Sequence, residues 1–221
     1  MDDFRGIGVA MITPFTAMGE VDYNALEALI EQYIQSGIDF LVVQGTTAET
    51  VTLTKQEKEN LAQRVVDINA GRLPLMLGKG GNNTNALVND LKTSNLSGYS
   101  AILSVCPYYN RPNQEGIFQH FSAVAEASPL PVMLYNVPAR TGASIENATV
   151  IRLAGANKNI FGIKDATGDM NSGKALIEAL PDDFLVTSGD DLTALDLVTR
   201  GGVGAISVIA GAFPTKFSEM I

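Results

Sequence analysis

One cysteine, Cys106, and one histidine, His120, are all that these 221 residues offer of the two side chains on which much hydrolytic and metal chemistry rests. Disulfide frameworks and His/Cys metal sites are excluded by counting, and a Ser-His-Asp triad is left with His120 alone to supply its base. Positive charge is scarce too. Fifteen Lys and Arg against 24 Asp and Glu leave a formal charge of −9 with no basic run, which argues against nucleic acid or an anionic membrane as a partner. No apolar stretch is long enough to span a bilayer, and Met1-Asp2-Asp3-Phe4-Arg5 lacks the basic-then-apolar pattern of a signal peptide, so a cytoplasmic location is expected. What is present is 46% hydrophobic residues, ample for one sizeable core, and small molecules remain as the partner class.

Strand-like and helix-like segments alternate along the chain. Val9 to Thr13 reads as a first strand. Asp22 caps a helix with apolar positions at Leu26, Leu29, Ile30, Tyr33 and Ile34, stopped by Gly37. Phe40 to Val43 is a continuous apolar run, as a parallel strand covered on both faces requires. Thr54 and Glu57 form a capping box ahead of a helix with Leu61, Val65 and Ile68 on its inner face. Leu73 to Leu77, Ala101 to Val105, Val132 to Tyr135, Ile160 to Ile163, Phe184 to Thr187 and Ala205 to Ile209 supply six more strands. Eight units without a linker favour one α/β domain over residues 1–221, a closed (β/α)8 TIM barrel, ahead of an open doubly wound sheet with the same local pattern. Gly211 to Ile221 leave room for roughly one helix of ordinary length after the last strand, so the eighth helix is expected to be cut short.

In a barrel, chemistry gathers at the C-terminal strand ends, where this chain places Thr46, Thr47, Tyr108, Tyr109, Tyr135, Lys164 and Gly189. Lys164 stands out because it sits within an otherwise apolar strand. A buried ammonium costs several kcal/mol unless it is paired or gives up its proton, so the open readings are a pair with Asp165, the mere start of a loop, or a free amine acting as a nucleophile. A dry barrel mouth with apolar neighbours such as Ile163 and Ile206 would lower the amine's pKa and suit it to imine formation. Imine formation also needs protons moved. With His120 expected on a helix surface, a tyrosine relayed by hydroxyl partners is the candidate shuttle. The segment Gly78-Lys79-Gly80-Gly81 invites a phosphate-loop reading but lacks the rest of either nucleotide fingerprint. Cys106 reads as a small strand residue ahead of Pro107.

Five motifs taken together resemble the dihydrodipicolinate synthases, a family of pyruvate-dependent class I aldolases: Gly45-Thr46-Thr47-Ala48-Glu49, Pro107-Tyr108-Tyr109-Asn110-Arg111-Pro112, Leu134-Tyr135-Asn136-Val137-Pro138-Ala139-Arg140-Thr141-Gly142, Gly162-Ile163-Lys164-Asp165 and Ser188-Gly189-Asp190-Asp191. The resemblance covers essentially the whole chain. It implies that Lys164 forms a Schiff base with pyruvate, and that Tyr135 transfers protons through Thr46 and through Tyr109 reaching in from a partner subunit. Thr47 would hold the pyruvate carboxylate, Gly189 and Ile206 would line the pocket with backbone carbonyls, and Arg140 would receive the carboxylate of L-aspartate 4-semialdehyde. It implies further that no cofactor is needed and that the protein is a homodimer or homotetramer making 4-hydroxy-tetrahydrodipicolinate for lysine and diaminopimelate biosynthesis.

Three departures accompany the resemblance. Ala48 stands where glycine is usual, so a turn needing positive φ would be strained there. Members of the family continue past the point matching Ile221 with C-terminal helices, absent here. Lysine-inhibited members carry a glutamate at the position of Ala86 and histidines at those of Lys55 and Lys58, so feedback by lysine is expected to be weak or absent although Asn82 and Tyr108 are retained. Two competing functions fit less well. A sialate or keto-deoxy-sugar aldolase would tend to show serine in place of Thr46 and no Arg140, and a silent small-molecule binding domain has no use for Lys164 and Tyr135 together.

Overall fold

The computed structural model describes residues 2–221. Its elements follow in the order β1 (Gly6–Ala10), α1 (Tyr23–Gln35), β2 (Phe40–Val43), α2 (Lys55–Asn69), β3 (Leu75–Gly78), α3 (Thr84–Thr93), β4 (Ala101–Val105) and α4 (Gln114–Ala127). The second half continues with β5 (Val132–Asn136), α5 (Pro138–Thr141), α6 (Asn147–Ala156), β6 (Ile160–Asp165), α7 (Met170–Ala179), β7 (Leu185–Ser188), α8 (Ala194–Thr199), β8 (Gly204–Ser207) and α9 (Pro214–Met220). The strands pair in sequence order and close into a parallel barrel, with Gly6 to Val9 of β1 joined to Gly204 to Ser207 of β8. The closed barrel, not the open sheet, is the architecture.

Local signals account for the helix ends. The Asp22 carboxylate accepts from the backbone N–H groups of Asn24 and Ala25 at the start of α1, and Thr54 and Glu57 form a reciprocal capping box on α2. The start of the first strand differs from expectation. β1 occupies Gly6–Ala10, three residues earlier than the Val9–Thr13 reading, because its glycines leave room for neighbours: a Cβ on Gly8 would lie 2.2 Å from the Phe40 ring.

Strand residues alternate between two environments, as the pleat requires. Phe40, Val42, Met76, Leu103, Met133, Leu185 and Ile206 fill the barrel, while Leu41, Val43, Leu75, Leu77, Leu134, Ile163 and Val186 pack beneath the helices. The base of the barrel is plugged by aromatic rings, with Phe4 edge-on to Phe40 at 5.3 Å and 5.8 Å from Phe161. That plug closes one end and leaves the C-terminal strand ends as the open mouth.

His120 is not on a helix surface. It lies on the inner face of α4 with Ile117, Phe121 and Val124, 4% exposed, with its Nδ1 2.8 Å from the hydroxyl of Thr84. Burial pushes its pKa down to about 4, so it is a neutral internal link between α3 and α4. Cys106 is fully buried directly after β4 and its thiol is pushed up to about 12, which makes it an inert packing residue.

Candidate active site

Lys164 is the fifth residue of β6 and points into the barrel, only 3% exposed. Its neighbours in the strand, Ile163 and Asp165, point the other way: Ile163 packs under the helices, and the Asp165 carboxylate accepts the backbone N–H of Thr167 at 3.1 Å. Pairing with Asp165 is therefore ruled out, and Ile163 is not one of the amine's apolar neighbours. The lysine stem instead lies against Gly189, where a Cβ would come within 2.7 Å of Cε and 2.9 Å of Cγ. Its Nζ rests 4.4 Å from the centroid of the Tyr135 ring, Tyr135 being its register partner on β5. Among the described residues, no carboxylate lies within the 4.0 Å of an ion pair.

An unpaired ammonium in that position resists its charge. Burial lowers the pKa of Lys164 from 10.5 to about 8; the negative charge of Asp191 opposes the shift and the positive charge of Arg140 adds to it. Roughly a tenth of the group is thus free amine at pH 7, far more than for an ordinary lysine, as a nucleophile requires.

Tyr135 carries the next link. Its phenol is 3.3 Å from the Thr46 hydroxyl, and burial raises its pKa against the opposing effects of Thr46 and Arg140. A protonated phenol hydrogen-bonded to a second hydroxyl is a relay, not a standing base. Thr46 begins a single 3-10 turn, Thr46–Ala48, held from below by the Thr13 hydroxyl donating to the Ala48 carbonyl at 2.7 Å. The left-handed residues flanking this turn are Gln44 and Glu49, with φ of 58° and 53°, and Ala48 itself is buried at ordinary φ. The strain expected at Ala48 is absent because the turn does not place that residue where a Cβ clashes.

The remaining candidates divide. Thr46, Tyr135 and Arg140 share one cavity of about 980 Å³ that opens at the barrel mouth and runs on between α2 and α3. Arg140 is carried on α5, is exposed, and has no carboxylate within 4.0 Å among the described residues. The loop beneath it is pinned by Asn136, whose side chain donates to the Ile145 carbonyl at 3.1 Å and accepts from its N–H at 3.0 Å. Ile206 is buried inside the barrel on β8. Thr47 lies half-buried in the middle of the turn and is not on the wall of that cavity. Tyr109 is not brought to the relay at all within one chain. It is 88% exposed at φ 74°, in an outer hollow with Arg111 and Arg140.

Sequence reasoning left Asp191 without a role, although it lies in a quoted motif. Its position near Lys164 arises from the packing of separate strands and has no local signature. Lys79 is accounted for structurally: its Nζ bonds the Asp90 carboxylate at 2.7 Å and the Ser94 hydroxyl at 2.9 Å, leaving no free cation for a phosphate.

Comparison with known proteins agrees with this geometry. The model of the dihydrodipicolinate synthetase family matches residues 3–221. The chain belongs to the dihydrodipicolinate synthetase family. It is 52% identical to the 4-hydroxy-tetrahydrodipicolinate synthase of Flavobacterium psychrophilum over 221 residues, covering all of this chain and 75% of that protein. Among solved structures, the chloride-inhibited dihydrodipicolinate synthase of Acinetobacter baumannii, complexed with pyruvate, superposes with a TM-score of 0.93 at 45% identity, covering 97% of this chain and 74% of that one. The enzyme of Cyanidioschyzon merolae with lysine bound does so with a TM-score of 0.93 at 38% identity, over 98% and 74%. Membership in that family fits a lysine buried at a strand end of a closed barrel.

The burial of Lys164 has a measurable cost. Its folded pKa, about 8, lies below its unfolded value of 10.5, so at pH 7 the residue is charged in both states and folding bears the full penalty, about 3 kcal/mol. The penalty shrinks as pH rises from 8 to 10.5. Lys164→Met, which keeps the stem and removes the charge, is expected to be more stable than the parent by up to about 3 kcal/mol at pH 7, with the difference closing above pH 10. Chemical denaturation at several pH values checks this, and equal stabilities at pH 7 would contradict it.

Proposed function

We infer that this chain condenses pyruvate with L-aspartate 4-semialdehyde to 4-hydroxy-tetrahydrodipicolinate, a lyase reaction of lysine and diaminopimelate biosynthesis, through an imine on Lys164. The observation that carries this reading is the buried, unpaired amine of Lys164 beside the Tyr135 phenol, itself hydrogen-bonded to Thr46. Free Lys164 amine attacks the ketone carbon of pyruvate. Tyr135, with Thr46 as its relay, supplies the proton on which the carbinolamine hydroxyl leaves as water. The cationic imine then loses a proton from the former methyl group to the Tyr135–Thr46 relay, giving an enamine; its carbon attacks the aldehyde, whose oxygen takes a proton from the same relay and becomes the hydroxyl. The amino group of the semialdehyde next adds to the imine carbon, closing the ring and expelling Lys164. The iminium serves as the electron sink, so the chemistry calls for no metal or organic cofactor.

The remaining tasks follow the family motif: Thr47 and the turn backbone hold the pyruvate carboxylate, although Thr47 is off the wall of the cavity, and Gly189, against the lysine stem, and Ile206 belong to the inner wall of the pocket. Arg140, exposed and uncommitted at the mouth, holds the carboxylate of the semialdehyde, a role suited to its bidentate fork and one that favours the synthase over a sugar-acid aldolase. Tyr109 completes the relay in the site of a second copy, which makes the working form a homodimer or a tetramer of such dimers. Its outward exposure at positive φ supports that placement. The described helices include none long and apolar enough to cross a membrane, in keeping with a cytoplasmic enzyme.

Incubation with pyruvate and borohydride is expected to add one reduced pyruvyl group at Lys164, located by peptide mass spectrometry. Lys164→Arg should lose turnover by roughly three orders of magnitude or more while staying folded. A label on another lysine, or near-native activity of that variant, would overturn the mechanism. Regulation gives a second test. Lys55, Lys58, Asn82, Ala86 and Tyr108 all border the extension of the cavity between α2 and α3. A cationic amino acid there would meet the ammonium groups of Lys55 and Lys58, the first paired with Glu59 at 3.7 Å, and no carboxylate at residue 86, and Asp90 is engaged by Lys79. Losing one charge-assisted hydrogen bond costs roughly 1.5–3 kcal/mol, about ten- to a hundredfold in affinity. Lysine is therefore expected to inhibit weakly at half-saturating substrates, and submillimolar inhibition would contradict this.

A further inference from the structure

The loop leaving β7 contains two adjacent carboxylates with different engagements. Asp190 stays within its own turn, accepting the N–H of Leu192 at 2.8 Å while the Ser188 hydroxyl donates to its carbonyl at 2.9 Å. Asp191 reaches across to the exit of β8. Its Oδ2 accepts the backbone N–H groups of Val208 at 3.2 Å and Ile209 at 2.9 Å. Its other carboxylate oxygen has no hydrogen-bond partner among the described residues.

These contacts bracket Lys164. Gly189, two residues before Asp191, is the surface on which the lysine stem lies, and Ile206, two residues before Val208, is buried in the barrel interior on the adjoining strand. A single carboxylate oxygen thus fastens the exit of β7, on which the lysine stem lies, to the exit of β8. The other charged or titratable groups facing Lys164 are few. β5 contributes the Tyr135 phenol and α5 the Arg140 guanidinium, β8 contributes only apolar Ile206, and Asp165 of its own strand faces the helices.

We propose that Asp191 is a positioning residue for the reaction: its carboxylate ties the β7 exit to the β8 exit around Lys164 and supplies the negative charge that steadies the cationic imine. The proposal rests on the Schiff-base reading of Lys164 given above. In that reading the nitrogen is cationic as iminium and neutral as enamine, so a fixed anion nearby favours the first and sets how readily the second forms. The electrostatic balance at the free amine agrees, Asp191 being the charge that opposes the depression caused by burial. Arg140, on the opposite side of the balance, serves the second substrate, and Asp191 keeps the amine from losing its proton affinity altogether.

The test is the pH profile of pyruvate trapping by borohydride on the full chain, for the parent and for Asp191→Asn. Asparagine keeps an oxygen acceptor for the two backbone N–H groups but carries no charge. Removing a negative charge disfavours the protonated amine, so the trapping midpoint should fall by about one pH unit, and pyruvate affinity as the iminium should weaken about tenfold. A midpoint and affinity equal to those of the parent would overturn the proposal. Asp191→Glu, measured alongside, retains the charge but alters the reach. It should keep the parental midpoint with slower turnover, and a midpoint lowered by about one unit would also overturn the proposal, which keeps the test decisive if the asparagine variant does not fold. Absence of any label on Lys164 in the parent would instead remove the Schiff-base reading itself, so the two failures are distinguishable.

Discussion

An ammonium group enclosed by a β-barrel without an ion-pair partner is the constraint from which the rest of this site follows. Water solvates that charge far better than an aromatic ring and a bare glycine do, so the chain holds it there only because the surrounding barrel is stable enough to bear the cost. Lys164 is only 3% exposed, against the Tyr135 ring, and its pKa moves to about 8. The same property that makes the residue expensive to fold raises its free-amine share at pH 7 to roughly a tenth, far above that of an ordinary lysine.

The fold is arranged to meet that demand. Aromatic rings of Phe4, Phe40 and Phe161 seal the base, and the interior side chains of successive strands fill the barrel up to the level of Tyr135 and Ile206. Lys164 therefore rises from a packed floor, and the one open direction is the mouth, where Thr46 and Arg140 stand on the turns that follow β2 and β5. Each of those turns is fixed by buried hydrogen bonds, from Thr13 to the Ala48 carbonyl and between Asn136 and Ile145. Preorganisation of this kind lets a few side chains act together, because none has to be ordered when substrate arrives.

Much of this was legible in the sequence where local rules operate. Continuous apolar runs marked strands buried on both faces, and Asp22 and the Thr54/Glu57 pair marked helix starts because capping is decided within four residues. The lysine was conspicuous because a charge in such a run has no local explanation. The failures have physical causes. The start of β1 is hard to read because Gly6 and Gly8 resemble breakers, whereas they make room for the Asp39 carboxylate and the Phe40 ring. His120 was read by its polarity, yet it shares the stripe of Ile117, Phe121 and Val124, and that spacing was the signal for burial. Ile163 was taken as a neighbour of Lys164 although adjacent strand residues face opposite sides. The reach of Asp191 from one strand exit to the next depends on barrel closure and has no signature along the chain.

The central claim, that Lys164 is a desolvated and unpaired amine, can be measured without substrate. Titration of the lysine side chains by heteronuclear NMR, with the Lys164 signal assigned by its loss in a Lys164 variant, reads its pKa directly. The account predicts a midpoint near 8 for this residue, well below the ordinary value of about 10.4 for a lysine in water. A Lys164 midpoint at or above that ordinary value would mean that the group is solvated or ion-paired in the folded protein, and would contradict the account.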